Sequence, residues 1–86
     1  MNEFTFSQEA FSQYIEWQRE DRKTLRRIND LLEDIKRNGV MKGIGKPEKL
    51  KYRQGFSRRI DEANRLVYDI DELGNIRIIA CKGHYE

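Results

Sequence analysis

Between Asp21 and Gly39 the sequence places Leu25, Ile28, Leu31, Leu32 and Ile35 at steps of three and four residues. That spacing makes one apolar face only when the segment is a helix. Asp21 suits the helix N-cap, and Lys36 and Arg37 just before Gly39 suit its C-terminus. The stripe covers barely two heptads, so it reads as a core face rather than a coiled-coil seam. With 86 residues in all, the chain has room for one core around that face, which predicts a single domain over residues 1–86.

The flanking segments say what covers the stripe. Ser7, with Glu9 in the following turn, marks the start of a first helix over residues 8–19. Its apolar positions are Ala10, Phe11, Tyr14 and Ile15, with Trp17 placed on the border of that face. The connection to the second helix is short enough to require an antiparallel helical hairpin. Residues 2–6 alternate as a strand does, while residues 39–47, with three glycines and the only proline, form the main loop. Strand character follows at residues 50–52 (brief), 56–61, 65–70 and 76–82, with turn signals at 61–64 and 73–75. The expected fold is α+β, in the order β-α-α-β-β-β: a small antiparallel sheet with the helical hairpin on one face, as in microbial ribonucleases.

A single cysteine, Cys81, excludes an internal disulfide, leaves too few thiols for a zinc site and suits core packing. No run approaches the ~18 apolar residues of a membrane span, and the first residues lack a signal-peptide order, so a cytoplasmic location is expected. Net charge is only +2, but its distribution is uneven: residues 38–59 carry seven basic residues against Glu48 alone. A net +6 in that block is a candidate footprint for a polyanion, or else a solvated basic loop.

Strand parity then sorts the charges. Leu66, Tyr68 and Ile70 share one face of their strand, leaving Arg65, Val67 and Asp69 on the other. With Ile60 on the core face, Ser57 and Arg59 turn outward beside Arg65, whereas Arg58 has the parity of the core. A central last strand would carry His84 and Tyr85 to the rim of the open face. The candidates that could converge are Glu48, Lys46, Lys49, Lys51, Arg59, Arg65, His84 and Tyr85. One carboxylate, one imidazole and several fixed cations are the parts needed to cleave RNA without a metal. A base takes the 2′-hydroxyl proton, an acid protonates the leaving 5′-oxygen, and cations stabilise the charge that builds on the phosphoryl oxygens. Tyr85 and Phe56 could stack on a splayed base.

Short sequence blocks add to this. Gly45-Lys46-Pro47-Glu48, Leu50-Lys51, Ser57-Arg58-Arg59-Ile60, Arg65-Leu66-Val67-Tyr68 and His84-Tyr85 occur in an order that resembles the YoeB toxin family of the RelE/ParE superfamily. Tyr14, Trp17-Gln18, Arg27-Ile28-Asn29 and Asp34-Ile35 agree, so the likeness runs over essentially the whole chain. The resemblance implies a toxin that enters the ribosomal A site, contacts 16S rRNA and cuts the mRNA there. It implies products with a 2′,3′-cyclic phosphate and a 5′-hydroxyl, no metal or other cofactor, restraint by a YefM-like antitoxin, and a possible homodimer. Matched by position, Glu48 resembles the general base, His84 the proton donor, Arg65 the phosphate stabiliser and Tyr85 a substrate-positioning tyrosine. Arg59 and Lys51 resemble residues that support Arg65, and with Lys46, Lys49 and Arg58 of the basic block they are the expected RNA- and phosphate-binding residues.

Two departures stand out. The segment between Lys51 and Ser57 is two residues shorter than is typical of the family, and Phe56 alone remains of an aromatic pair. Asn64 stands where a histidine is common, a change expected to matter less than the shortened segment. Two other functions fit the same fold: a binding toxin of the gyrase-poisoning branch, which would need neither Glu48 nor the His-Tyr tail, and a passive RNA-binding module.

Overall fold

The computed structural model describes residues 3–84. Two helices, α1 (Gln8–Glu20) and α2 (Arg22–Asn38), follow a short strand β1 (Phe4–Phe6). The strands β2 (Glu48–Lys49), β3 (Phe56–Arg59), β4 (Arg65–Ile70) and β5 (Ile76–Ala80) come after them. Ser7 caps α1 by accepting from the Ala10 amide, as its position predicts. Asp21 is the only residue between the helices; it ends α1 and caps α2 through the Thr24 amide. Tyr14 and Asn29, placed about equally far from that joint, share a hydrogen bond of 2.6 Å across the antiparallel hairpin.

The sheet order is β1-β5-β4-β3-β2. The antiparallel expectation holds for three of the four pairings, but β1 runs parallel to β5, with Phe4 opposite Ile76. Strands joined through intervening helices can lie parallel, whereas a tight hairpin cannot give that arrangement. A further difference lies at β2. The brief strand expected at residues 50–52 pairs earlier, at Glu48 and Lys49, because the Leu50 amide bonds Gly55 O and closes the turn there. The order β-α-α-β-β-β leaves that brief segment uncounted; paired with β3 at Glu48 and Lys49, it makes the sheet five-stranded.

Both helices lie on one face. Ile28, Leu31 and Ile35 of α2 and Ala10 and Trp17 of α1 pack against Leu66, Tyr68, Ile76 and Ile78. Trp17 is not a border residue: it is 8% exposed and its Nε1 donates to Cys81 O at 2.8 Å. Ile70, at the end of β4, is exposed rather than packed in the core. The opposite face has a small apolar floor of Val67, Ile79 and Ala80 with Leu50 against it. An irregularity in the β4–β5 ladder brings Ala80 opposite Val67 on that floor. Cys81 is buried, and burial pushes its thiol up to about 12, which makes it core packing rather than a nucleophile. Among the described residues no helix is long and apolar enough to cross a membrane.

Several carboxylates are held below their ordinary range. Asp34 is lowered chiefly by its hydrogen bond from Arg58, Asp21 by Thr24 and Asp71 by the Asn75 amide. Groups with a depressed folded pKa add stability above the unfolded carboxylate value of about 4. That stability is lost as pH falls through the folded values. The melting temperature should therefore be level through neutral pH and fall below about pH 4. Asp34→Asn should melt lower at neutral pH and show a shallower acid fall, as thermal scans across pH would record.

Candidate functional site

The main loop brings Glu48 to the open face. Gly43 has φ +115°, and a Cβ there would lie 1.7 Å from the Asp34 carboxylate oxygen, so only glycine allows the loop this close to α2. Below the loop lies Arg58, 0% exposed. Its guanidinium donates to the Asp34 carboxylate, to Ile44 O at 3.0 Å, to Gly39 O and Lys42 O at 2.7 Å each, and to the Tyr68 hydroxyl at 2.9 Å. Tyr68 in turn donates to Val40 O. This corrects the expectation that Arg58 contacts RNA. Its core parity, awkward for a phosphate ligand, is explained by a structural role, since this one buried fork ties the loop to the sheet. The loop exit then continues through Gly45, whose carbonyl accepts from the Arg59 amide, to Pro47 and Glu48.

At its exit Glu48 lies opposite Ser57, Ser57 opposite Val67, and Arg59 opposite Arg65. These residues share the open face. Arg65 is the centre of the cluster. Its Nη1 donates to Glu48 Oε1 at 3.1 Å and to Ser57 Oγ at 3.3 Å, while its Nε donates to His84 Nε2 at 3.4 Å. The Arg65 side chain is 15% exposed and that of Glu48 60% exposed. A half-solvated ion pair of this kind contributes only ~0–1 kcal/mol to stability. Either partner can therefore leave the other for a ligand at little expense.

The tail reaches Arg65 because α1 and the 61–64 turn hold it. Gln13 Oε1 accepts from the Cys81 amide at 2.6 Å, and Lys82 pairs with Glu16 and Glu20 while lying 5.1 Å over the Trp17 ring. The Arg65 amide donates to Gly83 O at 2.9 Å, and the Gly83 amide donates to Asn64 Oδ1 at 2.8 Å. Chain ends fray unless tied down; this one is tied at three consecutive residues before His84.

These residues match a known family closely. A family model for YoeB-like toxins of bacterial type II toxin–antitoxin systems matches residues 6–85. The chain belongs to that family. Toxin YoeB of Escherichia coli strain K12 is 42% identical over 82 residues, which cover 93% of this chain and 95% of that one. Among solved structures, the YoeB dimer of Staphylococcus aureus is 48% identical with a TM-score of 0.88, covering 98% of each chain. The YoeB–YefM complex of the same organism is similar at 46% identity and a TM-score of 0.87, covering 99% of each chain.

Among the residues assigned to the YoeB-like site from sequence, Glu48, Arg65 and His84 stand together. Tyr85 lies outside the described residues. Arg59 is exposed on the same face, opposite Arg65, and Lys46 is exposed at the loop exit with φ 52°. Lys49 and Lys51 instead line a groove of about 1070 Å³ with Arg53, Asp69 and Arg77, which Glu48, Arg65 and His84 do not line. Phe56 stacks on Tyr68, 5.8 Å between ring centroids, and so is committed to the core side rather than to a nucleobase. Sequence reasoning misses two contributors. Ser57 faces outward by parity but carries no assigned role, and its pairing with Glu48 follows only once β2 is placed. Asn64 is expected to matter less than the shortened segment, yet its side chain holds the tail at Gly83.

Proposed function

We propose that the chain is a ribosome-dependent endoribonuclease that cuts mRNA in the A site and so stops translation. The observation that carries this reading is the single guanidinium of Arg65 touching both Glu48 and His84. In the reaction Glu48 takes the proton of the 2′-hydroxyl, whose oxygen forms a bond to the adjacent phosphorus. The bond from phosphorus to the 5′-oxygen breaks, and that oxygen receives a proton from His84. The products are a 2′,3′-cyclic phosphate and a 5′-hydroxyl. Arg65 moves its donors from Glu48 and His84 to the phosphoryl oxygens as charge accumulates there.

Lys46, Lys49, Lys51 and Arg59 supply cations for the phosphates of mRNA and 16S rRNA, and Tyr85 positions the substrate. The scheme uses protein groups alone and assigns no metal or cofactor. The ribosome orients an RNA that one small domain contacts at few points. A YefM-like antitoxin restrains the toxin, and two copies can pair, as the S. aureus YoeB–YefM complex and YoeB dimer suggest by likeness. The toxin acts in the cytoplasm, where ribosomes are.

Purified protein added to a translating extract should cleave the mRNA and leave DNA supercoiling by gyrase unchanged. Inhibited supercoiling beside intact mRNA would instead establish the gyrase-poisoning reading. Salt-dependent RNA binding with no cleavage would establish the passive one.

A further inference from the structure

We propose that Asn64 is a positioning residue for His84, and through it for protonation of the leaving group. The proposal rests on the acid role given to His84 above. The Asn64 side-chain amide is oriented from one side and used on the other. Its Nδ2 donates to both carboxylate oxygens of Asp61, at 3.1 and 3.2 Å, and the Asn64 backbone carbonyl accepts from the amides of Ile60 and Asp61. Asp61 also caps the turn by accepting from the amides of Ala63 and Asn64. With the side-chain nitrogen committed to Asp61, the side-chain oxygen faces the Gly83 N–H at 2.8 Å.

Gly83 is where the tail needs that contact. Its φ is +88°, in the region that glycine enters freely, and nothing lies within 4 Å of where a Cβ would sit. The anchors from α1 act on Cys81 and Lys82, upstream of this joint. Beyond them the chain is fixed at Gly83 by two consecutive residues: Asn64 through its side chain and Arg65 through its backbone. The Gly83 N–H and C=O are thereby both held, one residue before His84. Without the Asn64 amide, the joint at Gly83 keeps only the Arg65 backbone bond and the longer contact of the Arg65 side chain with His84. The imidazole then leaves the line to the 5′-oxygen more often. Asn64 touches no substrate itself.

A leaving group that needs no proton separates this role from a general structural one. In an mRNA with sulfur in place of the bridging 5′-oxygen at the cut site, a thiolate departs unprotonated. That substrate should be indifferent to the position of the acid. On programmed ribosomes with ordinary mRNA, Asn64→Ala should lower the saturating cleavage rate by about 10- to 100-fold, as a misplaced group does. The half-saturating toxin concentration should not change. On the sulfur substrate the variant should match wild type. Asn64→Gln keeps an amide but displaces its oxygen, and should show the same pattern if Asn64→Ala folds poorly. Equal deficits on both substrates, or no deficit on ordinary mRNA, would overturn the proposal. His84→Ala serves as the control and should itself be restored by sulfur. If it is not, the acid assignment fails and this inference with it. If it is restored while both Asn64 variants are not, the positioning role alone fails.

Discussion

Arg65→Ala should lower single-turnover cleavage of ribosome-bound mRNA by about 10²–10³-fold from lost charge stabilisation alone. The full loss should be larger, because the same side chain orients Glu48 and His84. Stability should change little. The Arg65–Glu48 pair is partly solvated, and the Arg65 backbone bond to Gly83 survives the substitution. Arg65→Lys should recover only part of the rate. An ammonium is a single point of charge and cannot reach Glu48, Ser57 and His84 with separate fixed donors. Kinetics and a melting curve on the same preparations check both halves. An Arg65→Ala protein that cuts at the wild-type rate would remove the residue from the mechanism.

The second large effect is on stability. Arg58→Met leaves Gly39 O, Lys42 O, Ile44 O and the Asp34 carboxylate without the donor they share. Removing one side of a buried, hydrogen-bonded ion pair costs about 3–5 kcal/mol. A domain of this size has ~5–15 kcal/mol in all, and each kcal/mol moves its melting temperature by ~4–8 °C. A fall of at least about 12 °C is therefore expected. Arg58→Lys should not restore it, since one ammonium cannot serve acceptors spread from Gly39 to Tyr68. A variant within about 1 kcal/mol of wild type by denaturant titration would show that the loop closes without this clamp.

Much of this is legible in the sequence because local rules agree with the fold. The α2 stripe, the Ser7 and Asp21 caps and the alternation of Arg65 with Leu66 and Tyr68 each follow a local rule, and each stands where that rule puts it. What stays hidden depends on pairing between distant segments. The parallel β1–β5 contact joins residues more than 70 positions apart and leaves no local trace. Trp17 looks peripheral in the sequence because its partner, Cys81 O, lies 64 residues later. Arg58 groups with the phosphate ligands there because a basic block resembles a polyanion footprint. Only the position of the 39–45 loop over it shows that its charge is spent inside. The outward turn of Arg59 and Arg65 can be read from parity, whereas the convergence of Glu48 with His84 needs both the loop and the tail in place.

The most direct test of the acid–base site is the chemistry of the new RNA ends. Ribosome-bound mRNA should be incubated with wild-type protein and with Arg65→Ala, the breaks mapped, and the end groups assigned by enzymatic labelling. Wild type should leave 5′-hydroxyl and 2′,3′-cyclic phosphate ends within the A-site codon, and Arg65→Ala should leave almost none. Ends bearing a 5′-phosphate, or equal cutting by the two proteins, would contradict a reaction run by Glu48, Arg65 and His84.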